Sequence, residues 1–416
     1  MTKKTRTVLF LTCSILFLLV APFVVLYSQG YRLDLENKKF SQTGGLFLKI
    51  LPKQAEIYLD GKLKEKTDFF FGSVLIENLL PKKHKIEVKK AGYYSWQKTL
   101  EIKEKEVTEA KNIILFPRNF DFQILTKNIE SFWFSPDQTK IILKEKEKNN
   151  WSLKLYDLNN KFKIHLINDK DISLKEVNLL NLEFSKDLKR IILETGVGEE
   201  IKYFTLSLSQ TPPTITEITS PSPPIKDVLT YQEVKGDVYY LDKFGYLFKN
   251  NDKLTEKAFP IKQETKYNLK VLSSLIFLKE GKTLFLFNPE TKIFEKFFEP
   301  INYYKISPDS NKVVYSSDYE IWIFYLKDFL PNKRTGDKVF LSRFSEKIRN
   351  VYWLNSDYLV FTTGNKIKIT EIDERDKINI IDVEKFKNPD IFWDKIRKRL
   401  YVLSEGNLYF SRVLLP

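Results

Sequence analysis

Residues 132–137 read FWFSPD, and two residues later 140–143 read KIIL. The same order returns at 182–187 (LEFSKD) with 190–193 (RIIL), and at 304–309 (YKISPD) with 312–315 (KVVY). Looser copies stand at 351–357 (VYWLNSD) with 358–362 (YLVFT), and at 391–394 (IFWD) with 398–403 (KRLYVL). A third apolar run follows four of them, at 151–158, 320–326, 366–372 and 407–413. Each unit is a strand, a tight turn and two further strands. Pro presets φ for the turn, and the flanking Ser and Asp side chains can bond nearby amides. Copies start about 40 to 50 residues apart, a period that marks stacked repeats.

Two less regular units fill the gap, around residues 228–259 and 271–298, where 242–248 and 281–287 supply turns and strands. A small sheet cannot bury both faces alone, so the copies must pack around an axis. The pattern resembles the propeller blades of TolB-type and WD-repeat families, which implies a β-propeller over residues 118–416. Division gives about seven blades of roughly 42 residues, with six or eight left open by the degenerate middle. Residues 120–125 (FDFQIL) precede the first unit and are expected to complete the last one, closing the ring and removing its edges. The Ser/Thr/Pro-rich stretch 207–224 reads as an outer strand through Ile215 and Ile218, the alternative being a linker between two β-domains.

At the other end, residues 8–27 (VLFLTCSILFLLVAPFVVLY) carry no charge. About 20 helical residues cross about 30 Å of hydrocarbon. Lys3, Lys4 and Arg6 precede the run, so the positive-inside rule keeps the N-terminus cytoplasmic and the bulk of the chain extracytoplasmic. The competing reading is a cleaved signal peptide. A cut after Ala21 would place Leu19 at the minus-three position and Pro22 just beyond the bond, so an uncleaved single-pass anchor over residues 1–30 is preferred. Tyr27 and Tyr31 suit the interface.

Between the two lie short runs of period-two alternation at 46–51, 55–60, 85–90, 96–102 and 110–116, punctuated by Asp60-Gly61, Pro81 and Ala91-Gly92. They predict a small all-β sandwich over residues 31–117. Pro52 and Ala55, Ile57 to Lys62, Leu79, Pro81, His84 to Val88, Lys90 to Tyr93 and Trp96 together resemble a PEGA domain. Lys53 and Gln54 depart from that family's name-giving tetrad. The resemblance covers about a fifth of the chain and implies an accessory extracytoplasmic module, not a catalyst.

The 416 residues are 43% apolar and 29% charged, with 33 Phe, 21 Tyr and 6 Trp, a composition that suits folded β-domains. The single Cys, Cys13, lies inside the apolar run, so neither an intrachain disulfide nor a Cys-based zinc site is available. Two His are too few for a His-cluster metal site. His84 reads as a solvated residue of a Lys-rich turn and His165 as an outer-strand residue. No phosphate loop, nucleophile elbow, metalloprotease motif or calcium loop occurs. Asp137, Asp187, Asp309, Asp357 and Asp394 recur in every copy, which marks turn chemistry rather than one active site. Trp133, Trp353 and Trp393 read as packing between blades. The net charge of +14 is spread along the chain, with a cluster at Lys82, Lys83, Lys85, Lys89 and Lys90.

These readings assign no catalytic, cofactor or metal residue, and paired carboxylates for glycoside chemistry stay open. They predict a non-enzymatic binding or scaffolding protein of the bacterial cell envelope, held in the membrane through residues 8–27. Its propeller face would grip an envelope protein or an anionic cell-wall polymer; the exported address argues against nucleic acid. The alternative is a propeller enzyme acting on envelope glycan through axial carboxylates, to be distinguished by whether acids from several blades meet at one channel mouth.

Overall fold

The computed structural model describes all residues except 1, 2, 36, 37, 148, 149, 174, 175, 211, 220–226, 273, 330–332 and 416. Part of the 207–224 stretch therefore lies outside the described residues. The chain is nearly all β, with one long apolar helix near its N-terminus. It divides into two compact units: Met1–Phe120 with Thr370–Ile381 and Leu414–Pro416, and Asp121–Ile369 with Asp382–Val413.

The first unit opens with α1 (Lys3–Ser28), which contains Pro22. A hairpin of β1 (Tyr31–Asp34) and β2 (Lys39–Gln42) follows. Then come β3 (Gly44–Leu51), β4 (Glu56–Leu59), β5 (Lys62–Lys66), β6 (Ser73–Leu79), β7 (Lys83–Lys89), β8 (Trp96–Glu101) and β9 (Val107–Ile114). They form two sheets, ordered β6-β3-β9 and β5-β4-β7-β8. Alternation decides which side is buried. Leu46, Leu48 and Ile50 of β3 share one core with Ile57 and Leu59 of β4 and Ile86 and Val88 of β7. Each such side chain removed from water contributes roughly 1.5–3 kcal/mol. Asp60 and Gly61 both take positive φ in the β4–β5 hairpin, which Gly accepts freely and Asp tolerates.

Two expectations are corrected here. His84 is not solvated: it is 5% exposed and bridges Asp60 Oδ2 at 2.7 Å and the Leu80 carbonyl at 2.9 Å. It lies in β7 on the inward side shared with Ile86 and Val88, so the alternation that buries those residues buries it too. The lysine cluster is also divided, because β7 runs from Lys83 to Lys89 and carries Lys89 and Lys90 to the opposite end of the sheets from Lys82.

The segment Thr370–Ile381 lies along β8, the edge of its sheet. Asn379 imitates a neighbouring strand: its Oδ1 accepts from the Gln97 amide and its Nδ2 donates to the Gln97 carbonyl. Asp376 accepts from the Thr99 amide at 2.7 Å. Lys98 is wholly buried, with its ammonium 2.8 Å from Glu371 and donating to the carbonyls of Asp373, Arg375 and Lys377 at 2.7, 2.9 and 3.0 Å. Trp96 donates to the same Glu371 at 2.7 Å. A sheet edge that would otherwise offer free amides is thereby covered.

The second unit contains seven consecutive four-stranded antiparallel sheets among the described residues. The first runs from Ile129–Phe134 to Phe162–Asn168 and the sixth from Ile348–Trp353 to Ile380–Lys385. The seventh combines Asp390–Asp394, Arg399–Ser404 and Asn407–Phe410 with Gln123–Lys127, so an early strand completes the last sheet. Each sheet meets the next. Ile142 and Leu153 pack with Ile191 and Leu193 of the second sheet, Lys186 pairs with Glu233 of the third, and Leu241 packs with Leu269 of the fourth. Phe277 packs with Val313 and Tyr315 of the fifth, and the Trp353 indole of the sixth donates to the Lys305 carbonyl at 3.0 Å. Tyr352 lies 5.7 Å from Phe392 of the seventh, and Tyr401 and Leu408 return to Ile141 and Leu143 of the first. The arrangement is that of a propeller. Ile215–Ile218 forms the outer strand of the second sheet, as expected from its two isoleucines.

The Ser-Pro-Asp turns work as their chemistry suggests. Ser135 Oγ donates to Asp137 at 2.6 Å and accepts from the Lys140 amide at 3.0 Å. Ser185 with Asp187 and Arg190, and Ser307 with Asp309 and Lys312, repeat the arrangement. Ser307 is 1% exposed, so Ser307→Ala leaves the buried Lys312 amide without its acceptor. We expect a loss of about 1–3 kcal/mol in urea unfolding, and a smaller loss for the more open Ser185→Ala. Equal losses would contradict this account of the turn.

Candidate functional site

The repeated aspartates do not form a site. Asp137, Asp187 and Asp309 are each taken up by the serine and amides of their own turn, and Asp394 accepts from the Ile396 and Arg397 amides. Trp353 and Trp393 are buried, and Trp133 packs against the core between the first two sheets. His165 is exposed on the outer strand of the first sheet. Among the described residues no group of three His, Cys, Asp or Glu is placed to hold a metal ion.

What converges instead comes from the first strand of each sheet. First strands of the third and fourth, fifth and sixth, and sixth and seventh sheets lie against one another, which makes them the innermost. Polar side chains stitch them together. Thr230 and Gln232 accept from the Leu269 and Val271 amides, Tyr304 donates to Asn268 at 3.4 Å, and Asn350 donates to Asp390 at 2.7 Å.

Two lysines sit in this belt. Lys270 Nζ is 5.5 Å from the centre of the Tyr304 ring, and Lys305 Nζ is 3.5 Å from that of Tyr352. The contacts step from the fourth sheet to the fifth to the sixth. A tyrosine face attracts a cation but leaves its formal charge uncompensated. Burial lowers the Lys270 ammonium below its ordinary value. Burial, with repulsion from Lys270 second, brings Lys305 down to about 8. Burial also pushes Tyr304 up to about 12 and raises Tyr352. Among the described residues neither lysine lies within ion-pair distance of a carboxylate. Both keep part of their surface open to solvent.

The acids stand apart. Asp390 borders a pocket of about 310 Å³ together with Glu130, Lys387, Asn388 and Glu405. Burial holds its carboxyl above the usual range, opposed by the bond from Asn350. Glu130 is taken by Lys144 at 3.0 Å and Glu405 by Lys387 at 3.1 Å. The sequence reading placed Tyr304, Lys305 and Tyr352 in first strands of the repeat but gave no inner-strand residue a binding role.

No protein-family model matches the sequence, and no characterised protein matches it. Solved structures do resemble the fold. The β-propeller domain of Cps50 (Swd1) from Myceliophteria thermophila is 12% identical, with a TM-score of 0.43, covering 69% of this chain and 97% of that one. YCF48 from Cyanidioschyzon merolae is 10% identical, with a TM-score of 0.43, covering 70% and 98%. Virginiamycin B lyase from Staphylococcus aureus is 12% identical, with a TM-score of 0.43, covering 71% and 100%.

Proposed function

We propose that the chain is a single-pass protein of the bacterial cell envelope, anchored through residues 8–27 with its N-terminus in the cytoplasm. Its extracytoplasmic part is a PEGA-like sandwich, residues 31–117, followed by a seven-bladed propeller, residues 118–416. It binds and scaffolds; it does not catalyse. The ligand is an anionic wall polymer or an acidic segment of an envelope protein. The observation that carries the reading is the Lys270–Tyr304–Lys305–Tyr352 ladder, where two lysines on adjoining innermost strands repel one another and, among the described residues, neither makes an ion pair. Such a pair is repulsive until an anion enters. The test is titration of the detergent-solubilised full chain with a polyphosphodiester and with a neutral glycan of similar length. Saturable binding of the first alone is expected; equal binding of both would contradict it.

A second reading, glycan hydrolysis, has one observation in its favour: the raised carboxyl of Asp390 beside Glu130 in the pocket. Glu130 is already paired, so a free acid–base couple is missing there. Incubation with envelope glycan should release no new reducing ends.

The anchor has its own test. An uncharged, mostly apolar run of twenty residues inserts too favourably to be stripped by high pH. After alkaline carbonate extraction of cell membranes the full chain should stay in the pellet, and protease added to intact spheroplasts should digest it. Release of a shortened chain into the medium would favour a cleaved signal.

A further inference from the structure

Just beyond α1 the hairpin β1–β2 turns back against the helix. Leu33 and Phe40 are cross-strand partners, so they share one face, and Leu35 is the first turn residue past β1. The opposite face carries Asp34 and Ser41, 4% and 2% exposed. The hairpin thus buries Asp34 and Ser41 of its polar face, leaving Lys39 open, and exposes Leu33 and Phe40 on the other, the reverse of what water favours for these four residues. Leu33, Leu35 and Phe40 are 50, 77 and 47% exposed.

The Phe40 ring centre lies 6.1 Å from that of Phe23, a helix residue five positions before Ser28. At 1.5 Å per residue, Phe23 sits about 7 Å inside the end of the helix. Whatever medium surrounds Phe23 there also surrounds Phe40. The turn is also held firmly. Arg32 stacks 3.5 Å over the Tyr27 ring and donates to the carbonyls of Tyr27 and Tyr31 and to Asn78 Oδ1 of β6, each at 2.9 Å. A cation at the C-terminus of a helix also meets the negative end of its dipole. Thr43 donates twice to the Gly30 carbonyl, at 2.9 Å from its amide and 2.8 Å from its hydroxyl. The hairpin is therefore not free to swing away from the helix.

We propose that β1–β2 is a membrane-embedded wedge. Its Leu33–Phe40 face, with Leu35 in the adjoining turn, lies among the acyl chains at the headgroup boundary of the outer leaflet, and the exposed Lys38 and Lys39 near its tip reach back to anionic lipid phosphates. An amphipathic element buried about 5–10 Å into that boundary, with lysine stems extended along it, is the arrangement such surfaces adopt. The inference rests on the reading of α1 as a membrane span. The three consecutive phenylalanines at 69–71 are equally exposed, but they lie at the other end of β6 from Asn78, away from the helix exit.

The test uses the full chain with Cys13→Ser, so that one introduced cysteine carries a nitroxide label. Labels at Leu35→Cys, Phe40→Cys, Val20→Cys and Leu63→Cys are compared in vesicles of phosphatidylglycerol and phosphatidylcholine, by the ratio of collisions with oxygen to collisions with a water-soluble nickel chelate. The expected ratio at 35 and 40 is several-fold above that at 63 and below that at 20. If 35 and 40 match 63 while 20 reads deep, the anchor stands and the wedge is wrong. If 20 also matches 63, the span fails and the wedge with it. Low collision with both reagents at 35 and 40 would mean protein contact, as with a second copy, and would equally overturn the proposal. Leu35 is exposed, so its replacement leaves folding intact.

Discussion

Lys98→Ala is expected to destabilise the protein by about 3–5 kcal/mol and to open the segment Thr370–Ile381 to trypsin. The ammonium is wholly buried against Glu371 and three backbone carbonyls. Removing it strands a buried carboxylate and leaves three acceptors unpaired, the case in which losing one partner costs most. Glu371 does keep donors from Trp96 and Asn379, so Lys98→Ala with Glu371→Gln should recover part of the loss. Arg375 and Lys377 supply tryptic sites within the segment. Chemical unfolding, with trypsin digestion under native conditions, reads both effects. A wild-type cleavage rate and unchanged stability would mean that this cage does not hold the segment on β8.

The second large effect concerns the inner lysines. Lys270→Gln with Lys305→Gln should abolish polyanion binding, a loss of at least a hundredfold, while leaving the fold intact. The basis is two cations sharing one low-dielectric belt, where an entering anion interacts more strongly than it would with solvated lysines. The double variant should also be at least as stable as the parent, because the cost of burying two unpaired charges disappears with them. pH supplies an independent signature. Lys305 titrates near 8 in the folded chain, against an ordinary lysine value of 10.5. Between those values the unfolded chain binds more protons, so its burial penalty is full below about pH 8 and is relieved as pH rises toward 10.5. Polyanion affinity should therefore fall as pH passes through about 8, whereas attraction to the general surface charge of lysines would persist to about 10. Binding unchanged in the double variant, or flat across pH 8, would remove the inner belt from the function.

The same physics explains what could be read beforehand. The repeat was legible because Ser-Pro-Asp turns and apolar pairs such as Ile141–Ile142 and Val313–Val314 recur at one spacing, and sheet formation needs little else. Ile215–Ile218 could be read as an outer strand for the same reason. β5, KLKEK, is exposed at every position, so no apolar alternation announces it. β6 carries an exposed Leu75 between buried Val74 and Ile76, and a register shift near Leu46 disturbs its pairing with β3. The third sheet is degenerate partly because its turn depends on Gly245, whose φ is +89° and where any Cβ would lie 2.0 Å from the Phe259 carbonyl oxygen.

Lys98 sits in WQKTLE and reads as one more lysine in an alternating strand. Its partners lie some 270 residues onward, where only the fold can bring them. Lys270 in YNLKVL and Lys305 in YYKI are masked in the same way. On an innermost strand the side facing away from one sheet's core meets the next sheet, not water, and a single sequence carries no mark of that inversion. His84 failed for a related reason: its lysine neighbours suggest solvent, but its own position in β7 faces the core.

The inner belt exists only if the ring closes, since only a complete ring brings the inner strands of different sheets together. The register pairs Ile124 with Tyr409 across the join between the early strand and the last. With Cys13→Ser, Ile124→Cys and Tyr409→Cys place two thiols on directly opposed residues, and mild oxidation of the purified full chain reads their distance. Formation of a single intramolecular disulfide, seen as a reductant-sensitive change in gel mobility in nearly all molecules, is predicted. Two thiols that stay free, or that pair only between chains, would contradict the closed arrangement and the inner site built on it.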